Sequence, residues 1–270
     1  MADDILPNRR PIEGVQATIR RVGVKEVRDA LALGLADFRA NPAHRMFVAL
    51  IFPVAGLLLG WVVAATGSFP LLYPIAGGFA LIGPFASIGL YEISRRRELG
   101  VASSWLSELA VFRSKRIGPV MELGVLLAVI FVLWLATANA LYDHLLGGAA
   151  GRESLAGLFR LVAGTRAGWI LCAAGTGAGF FFAAVVFCLG VLSFPLLLDR
   201  DLGGSTEEQV ATAVEMSVRA VIANPLAMGA WALILGAGVM VGFLTALVGF
   251  VVVIPVLGHA TWHFYRQVVV

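Results

Sequence analysis

The segment Ala220–Tyr265 reads AVIANPLAMGAWALILGAGVMVGFLTALVGFVVVIPVLGHATWHFY and contains no Asp, Glu, Lys or Arg in 46 residues. Three further charge-free stretches cover residues 46–91, 123–142 and 167–198. Because one crossing of a bilayer takes about 20 apolar residues, the two longest stretches have room for two crossings each and the others for one. The sequence therefore predicts an all-α fold, a polytopic membrane bundle of six transmembrane helices.

The composition agrees with this prediction. Of the 270 residues, 59% are hydrophobic and 14% charged, whereas soluble proteins are about 45–50% apolar and about 25% charged. The final segment has an alternative, since it can dip into the bilayer and return, which would place the C-terminus outside. The predicted spans are 43–66, 69–91, 118–142, 167–198, 226–248 and 250–266.

The distribution of the 20 Lys and Arg residues predicts the orientation. With six spans, 17 of them fall on the side that carries both termini, and the other three lie in the 143–166 loop. Lys and Arg of short loops stay on the cytoplasmic side. We therefore expect a multi-pass membrane protein with cytoplasmic N- and C-termini.

Two polar segments that precede predicted spans match without gaps. Residues 27–42 (VRDALALGLADFRANP) and 210–225 (VATAVEMSVRAVIANP) lie 183 positions apart and share Val, Ala and a closing Ala-Asn-Pro at equivalent positions. Apolar residues recur in both at helical spacing, which predicts an amphipathic helix ended by Asn-Pro. A weaker third copy covers 103–119, so we expect three repeats, each an interfacial helix followed by a membrane hairpin.

The predicted domains follow from these repeats. Residues 1–24 form a cytoplasmic tail and 25–268 a single membrane domain, with repeats at about 25–91, 101–198 and 205–268. The second helix of each hairpin carries a proline that could bend it, although prolines are also common in ordinary membrane helices. These candidate bend positions are Pro84, Pro195 and Pro255.

The segment GLYEISRRRELG (89–100) places Glu92 at the edge of a span, followed by Arg95, Arg96 and Arg97. The arginines can pair with lipid phosphates or an acidic partner, or they can serve only as an anchor that enforces topology. A carboxylate at the membrane edge is costly unless it is solvated or paired. We therefore expect Glu92 to pair with an arginine one turn away.

Near the end of the chain, GHATWHFYR (258–266) places His259 and His263 four residues apart on one helix face. That spacing can hold a metal or relay a proton, but no further ligand is evident, and an aromatic belt with hydrogen-bonded histidines is the alternative. Asp199 lies in the motif SFPLLLDRD (193–201) at the end of the fourth predicted span. The sequence predicts no catalytic residue, no metal site and no cofactor.

Glu92, Asp199 and His263 each follow a proline by four to eight residues. We therefore predict a polar vestibule at the cytoplasmic ends of the second, fourth and sixth spans, with a positive potential that favours anionic head groups. The competing interpretation is that all are ordinary interfacial residues. The residues of the candidate vestibule are Glu92, Arg95, Arg96, Arg97, Asp199, His259 and His263.

Four motifs together resemble a known family: ALIGPFASIGLYEISRRRELG (80–100), SFPLLLDRD (193–201), AVIANP (220–225) followed by Trp231, and IPVLGHATWHFYR (254–266). They are similar to a bacterial family of predicted integral membrane proteins that is catalogued only as a domain of unknown function. The resemblance covers roughly residues 30–268. It implies a multi-pass protein of the bacterial inner membrane and brings no activity, substrate or cofactor.

Three function hypotheses remain after these observations. The leading one is a non-enzymatic accessory, assembly or lipid-organising component of the membrane, and the alternative is a channel or facilitator for a small anionic or neutral solute. A third is an enzyme acting on lipid head groups through Glu92, Asp199 and the histidines, which requires those groups to converge. The expected partners are membrane lipids, including anionic head groups at the cytoplasmic face, and a homo-oligomer or another membrane protein, with no nucleic acid.

Overall fold

The computed structural model describes residues 18–40, 54, 56–77, 87–101, 114, 116–147 and 154–270. Within these residues the fold is all-α, and the only extended pairing is an antiparallel bridge between Ile19 and Val269. The helices of this part are labelled in chain order: α1 Val24–Ala40, α2 Gly56–Thr66, α3 Ile88–Glu98, α4 Ile117–Leu146, α5 Leu155–Gly164, α6 Arg166–Gly190, α7 Ser193–Asp199, α8 Thr206–Ala223, α9 Pro225–Leu244 and α10 Phe250–Val268.

Three helical segments are long and apolar enough to cross a membrane: Ile117–Leu146, Arg166–Asp199 and Pro225–Leu244. They correspond to the third, fourth and fifth predicted spans. The first and third bury only 22% of their most apolar window inside the protein, so most of that surface is left for lipid to cover. Six spans and the hairpin repeats stay predictions, since much of the first two predicted spans (41–53, 55 and 78–86) lies outside the described residues.

Two of the three predicted bend prolines lie in described helices. Pro255 lies inside α10, which continues through it. Pro195 is the third residue of α7, which begins shortly after α6 ends at Gly190, so its missing backbone N–H falls in a first turn and breaks no helical hydrogen bond. A bend at either proline stays a prediction. The predicted bend at Pro84 lies outside the described part of the chain.

Both predicted amphipathic helices of the described segments are confirmed. Helix α1 ends at Ala40 and α8 at Ala223, 183 residues later, and only Asn224 separates α8 from α9, which begins at Pro225. The buried positions of the two helices coincide at the same offset, and each set has the three- and four-residue spacing of one helix face. These pairs are Val27 and Val210, Ala30 and Ala213, Gly34 and Ser217, and Asp37 and Ala220.

The helices meet most closely at one end of the molecule. Helices α3, α7 and α10 contact one another there, α1 packs along α10, and α8 packs against α4, α6 and α7. Helices α7, α9 and α10 contribute five of the largest fully buried side chains: Phe194, Trp231, Trp262, Phe264 and Tyr265. The core of the described part is therefore at this end, where the polar residues of α1, α3, α7 and α10 also lie.

Candidate functional site at the converging helix ends

Twelve polar side chains of α1, α3, α7 and α10 form two neighbouring sets of hydrogen bonds and ion pairs where these helices meet, and α3 contributes to both sets. We call these side chains together the polar network. The helices bring it together because each presents its polar residues within about its last three turns. Its members are Asp37, Glu92, Ser94, Arg95, Arg96, Arg97, Glu98, Asp199, His259, His263, Tyr265 and Arg266.

Asp37 is the centre of one half of the polar network. Its residue surface is 4% exposed, and it accepts a hydrogen bond from the Ser94 hydroxyl at 2.6 Å. The Nε2 atom of His263 lies 2.8 Å from the same carboxylate oxygen, and Nη1 of Arg97 lies 2.7 Å from the other. The α1 carboxylate therefore joins α3 and α10, with two possible cationic partners for one buried negative charge.

The single hydrogen of the Ser94 hydroxyl determines whether His259 donates or accepts in its hydrogen bond with Ser94. The hydroxyl of Ser94 also lies 2.8 Å from Nδ1 of His259, and both residues are buried. A serine hydroxyl has a single hydrogen, and here that hydrogen goes to Asp37. His259 therefore donates from Nδ1 to Ser94, which assigns its tautomer through the hydrogen-bond network.

Burial alone would raise the pKa of Asp37, because a charged carboxylate is disfavoured away from water. The hydrogen bonds from His263 and Ser94 and the nearby imidazoles act in the opposite direction and outweigh burial. The pKa of Asp37 consequently lies below its ordinary value of 3.8. Asp37 is thus a carboxylate that its partners keep ionised.

Glu92 pairs within its own helix, as the sequence predicts. Nε of Arg96 lies 2.7 Å and Nη1 of Arg95 3.2 Å from the Glu92 carboxylate. Both Glu92 and Arg96 are buried, so this ion pair, unlike an exposed one, is held away from water. The Arg95 side chain extends further, since its Nε is 3.7 Å from Asp199.

Asp199 is the centre of the other half of the polar network. It accepts a hydrogen bond from the Tyr265 hydroxyl at 2.9 Å and one from Nη1 of Arg266 at 3.1 Å. Arg266 also bonds to Glu98, which accepts a further hydrogen bond from the indole N–H of Trp262. The end of α7 is therefore tied to α3 through Arg95 and to α10 through Tyr265 and Arg266.

The structure brings all seven predicted vestibule residues into the polar network. Glu92, Arg95 and Asp199 form one connected chain of contacts, and His259 and His263 lie on either side of the Ser94 and Asp37 pair. The four carboxylates of the network are matched by four arginines, so most of the predicted positive charge is compensated locally. A solvent-filled vestibule between these groups stays a prediction.

Sequence reasoning did not identify Asp37, Ser94, Glu98, Tyr265 and Arg266 as members. A signal for Asp37 was present, because it continues the spacing of Val27, Ala30 and Gly34 and therefore falls on the buried face of an amphipathic helix. Among the described residues, no group of three or more His, Cys, Asp or Glu side chains is placed to hold a metal ion.

Comparison with known proteins agrees with the membrane character of the fold. No curated protein and no solved structure matches the chain. The family match lies on the segment that runs from the second predicted span through α7, and it includes Glu92, Arg95–Arg97 and Asp199. Residues 71–199, slightly less than half of the chain, match the model of the family described as "Predicted integral membrane protein (DUF2189)", which confirms the resemblance that the sequence motifs indicated.

Proposed function

We propose that this protein is a non-enzymatic component of the bacterial inner membrane that organises anionic lipids at its cytoplasmic face in an accessory or assembly role. One observation carries the proposal: the acid, base and hydroxyl groups of the candidate site bond to one another, while the neighbouring helix α1 presents a basic surface to the outside. Groups held in mutual ion pairs stabilise the meeting point of four helices, and an exposed basic helix attracts anionic head groups.

The architecture that we propose has six membrane helices in three hairpins with both ends cytoplasmic. Residues 37, 92, 94–98, 199, 263, 265 and 266 belong to the polar network at one end of the bundle, which supports an even number of crossings between each part of it and the next. The pairing of Thr18 and Arg20 with Val268 and Val270 supports the same conclusion for the two ends of the described chain. The matching buried positions of α1 and α8 support an internal duplication.

This topology predicts which positions are reachable from outside the cell. In a variant lacking both native cysteines, a cysteine at Ala156 should react with a membrane-impermeant maleimide on intact cells. Cysteines at Val101, Glu207 or Val270 should react only after the membrane is opened. All four positions are exposed at the protein surface, so accessibility depends on the side of the membrane. Labelling of Val270 from outside would require an odd number of crossings after Asp199 and would contradict the hairpin arrangement.

The basic face belongs to α1 and the segment before it. In residues 18–40, all five Lys and Arg side chains are exposed, whereas Glu26 and Asp29 are partly buried and Asp37 is buried. Helix α8, its counterpart, instead exposes Glu207, Glu208 and Glu215. The difference in charge between the two otherwise similar helices supports a lipid contact on α1 rather than on α8.

The test is the lipid preference of the full-length protein in nanodiscs of phosphatidylglycerol and phosphatidylcholine. We expect the protein to retain phosphatidylglycerol preferentially, and the triple variant Arg21→Gln, Lys25→Gln, Arg28→Gln to lose that preference by about tenfold or more, since each basic residue near a membrane contributes about 1 kcal/mol. The matched control neutralises Glu207, Glu208 and Glu215 on α8 and should not reduce the preference. Equal retention of both lipids by the unmodified protein would refute the proposal.

The alternative function, a facilitator for a small solute, makes a different prediction. Vesicles containing the protein should then release a small anionic or neutral solute faster than empty vesicles. Under the function proposed here, both kinds of vesicle should have the same leak rate. This measurement separates the two without depending on lipid preference.

A further inference from the structure

At the end of the bundle opposite the polar network, the described residues enclose a cavity of about 340 Å³. Its walls come from the segment 69–74, the last turns of α4, the first turns of α6 and the short helix α5. The volume is at the lower end of the range of about 300–1,000 Å³ that is typical of ligand sites. The lining is almost entirely apolar, and the polar network contributes no residue to it.

Helix α5 covers this cavity with one apolar face. Leu155, Leu158, Phe159 and Val162 line the cavity and follow helical spacing, while Arg160 lies on the opposite face. No residue of α5 is buried, so its apolar face remains partly exposed after it packs against the rest of the described protein. A helix with this pattern lies in the plane of the membrane interface.

The turn between α5 and α6 fixes the position of α5 over the cavity. Thr165 caps α6 by accepting a hydrogen bond from the Gly168 backbone at 3.0 Å, and the indole N–H of Trp169 donates to the Ala163 carbonyl at 3.1 Å. A Cβ atom on Gly168 would lie 2.1 Å from the Val162 carbonyl oxygen. The close return of α5 onto α6 therefore requires glycine at this position.

The depth of the cavity fits within one leaflet. Its lining on α4 extends from Trp134 to Tyr142, eight residues later, which is a rise of about 12 Å. Half of a hydrocarbon core of about 30 Å is about 15 Å. Arg160 and Arg166 are exposed at the interfacial end of this region, where they can pair with a phosphate group.

From this geometry we infer that the cavity binds one acyl chain of an outer-leaflet phospholipid, with the phosphate near Arg160 and Arg166. The apolar lining fits a hydrocarbon chain, the depth fits one leaflet, and the arginines fit the charge of the head group. Inside the cavity, the Tyr73 hydroxyl and Thr176 Oγ1 lie 3.5 Å apart and can satisfy each other. The site is separate from the cytoplasmic lipid contact proposed for α1.

Two glycines on α6 provide a matched test. Gly175 lines the cavity and Gly177 does not, and a Cβ atom at either position would meet no atom within 4 Å. Gly175→Leu therefore fills the cavity, whereas Gly177→Leu adds the same side chain to the same helix outside it. Both substitutions change helix propensity equally.

The measurement is native mass spectrometry of the full-length protein released from a mild detergent. We expect the protein and Gly177→Leu to retain one phospholipid per chain, and Gly175→Leu to lower the retained fraction at least fivefold. The α1 triple variant should retain it fully. Cys172→Phe, which also reduces the cavity, keeps the test available if Gly175→Leu does not fold. Unchanged retention in both cavity variants, retention of a different apolar molecule such as a free fatty acid or an isoprenoid, or no retained lipid would overturn the inference.

Discussion

Asp37→Ala is expected to lower the free energy of unfolding by about 3 kcal/mol, the lower end of the cost of breaking a buried ion pair, because the Arg97 side chain is 45% exposed and can still reach water. The substitution leaves Arg97, His263 and Ser94 facing a site without its carboxylate, and the side chain of Asp37 is only 6% exposed. It also removes the only α1 side chain that bonds to both α3 and α10 among the described contacts. We expect α1 to loosen from α10 as a consequence.

The measurement is the thermal midpoint of the purified protein in one detergent. With about 2 to 4 °C per kcal/mol for a chain of similar size, the midpoint of Asp37→Ala should fall by roughly 10 °C. Asp29→Ala is the matched control, because Asp29 lies on the same helix and is only partly buried, and it should change the midpoint little. Equal shifts for the two variants would show that the polar network adds no stability at Asp37.

The same residue predicts a dependence on pH. The folded-state pKa of Asp37 lies below its ordinary value of 3.8, so its stabilising effect is complete above that value and is lost as the pH falls through the lower folded pKa. The difference in midpoint between the protein and Asp37→Asn should therefore be constant at neutral pH and shrink below about pH 4. A difference that shrinks instead as the pH rises above 7 would have the wrong sign.

Sequence patterns were sufficient for the elements that depend on local composition. The charge-free stretches located α4, α6, α9 and α10, and the three- and four-residue spacing located α1 and α8. Charged residues are rare in the hydrocarbon core of a membrane, so the ends of a charge-free stretch indicate approximately where such a helix begins and ends. The pairing of Glu92 with Arg95 and Arg96 was likewise predictable, since neighbours one turn apart on a helix face one another.

Contacts between distant segments were not predictable in this way. No sequence pattern in residues 27–42 indicates that Asp37 contacts Ser94, 57 positions later, or His263, 226 positions later. The cavity was missed for the same reason, because its walls come from four segments that look like ordinary apolar sequence. The bends at Pro195 and Pro255 stay predictions, although α10 continues through Pro255.

Gly34→Ala tests whether the closeness of α1 and α10 is essential to the site. A Cβ atom on Gly34 would lie 2.5 Å from the Ala260 backbone nitrogen and 2.6 Å from its Cβ. These are fixed parts of α10, so the helices must separate to admit even one methyl group. Asp37 follows Gly34 by one turn on the same face, and its contacts with Ser94 and His263 should lengthen together with the interhelical distance.

The expected cost exceeds the usual benefit of alanine in a helix. Inserting a methyl group into a close-packed contact costs about 1 to 3 kcal/mol, against about 1 kcal/mol that alanine gains over glycine in a helix, and the loosened network adds to that cost. Gly89→Ala in α3 is the matched control, because a Cβ atom there would meet nothing within 4 Å, and it should leave the thermal midpoint unchanged or raise it. We expect Gly34→Ala to lower the midpoint and Gly34→Leu to lower it further.

A double variant tests whether the helix contact acts through the polar network. If Asp37→Ala is already present, Gly34→Ala should lower the free energy of unfolding by less than it does alone, because part of its effect is exerted through the Asp37 carboxylate. Additive effects would mean that the helix contact and the polar network stabilise the fold independently.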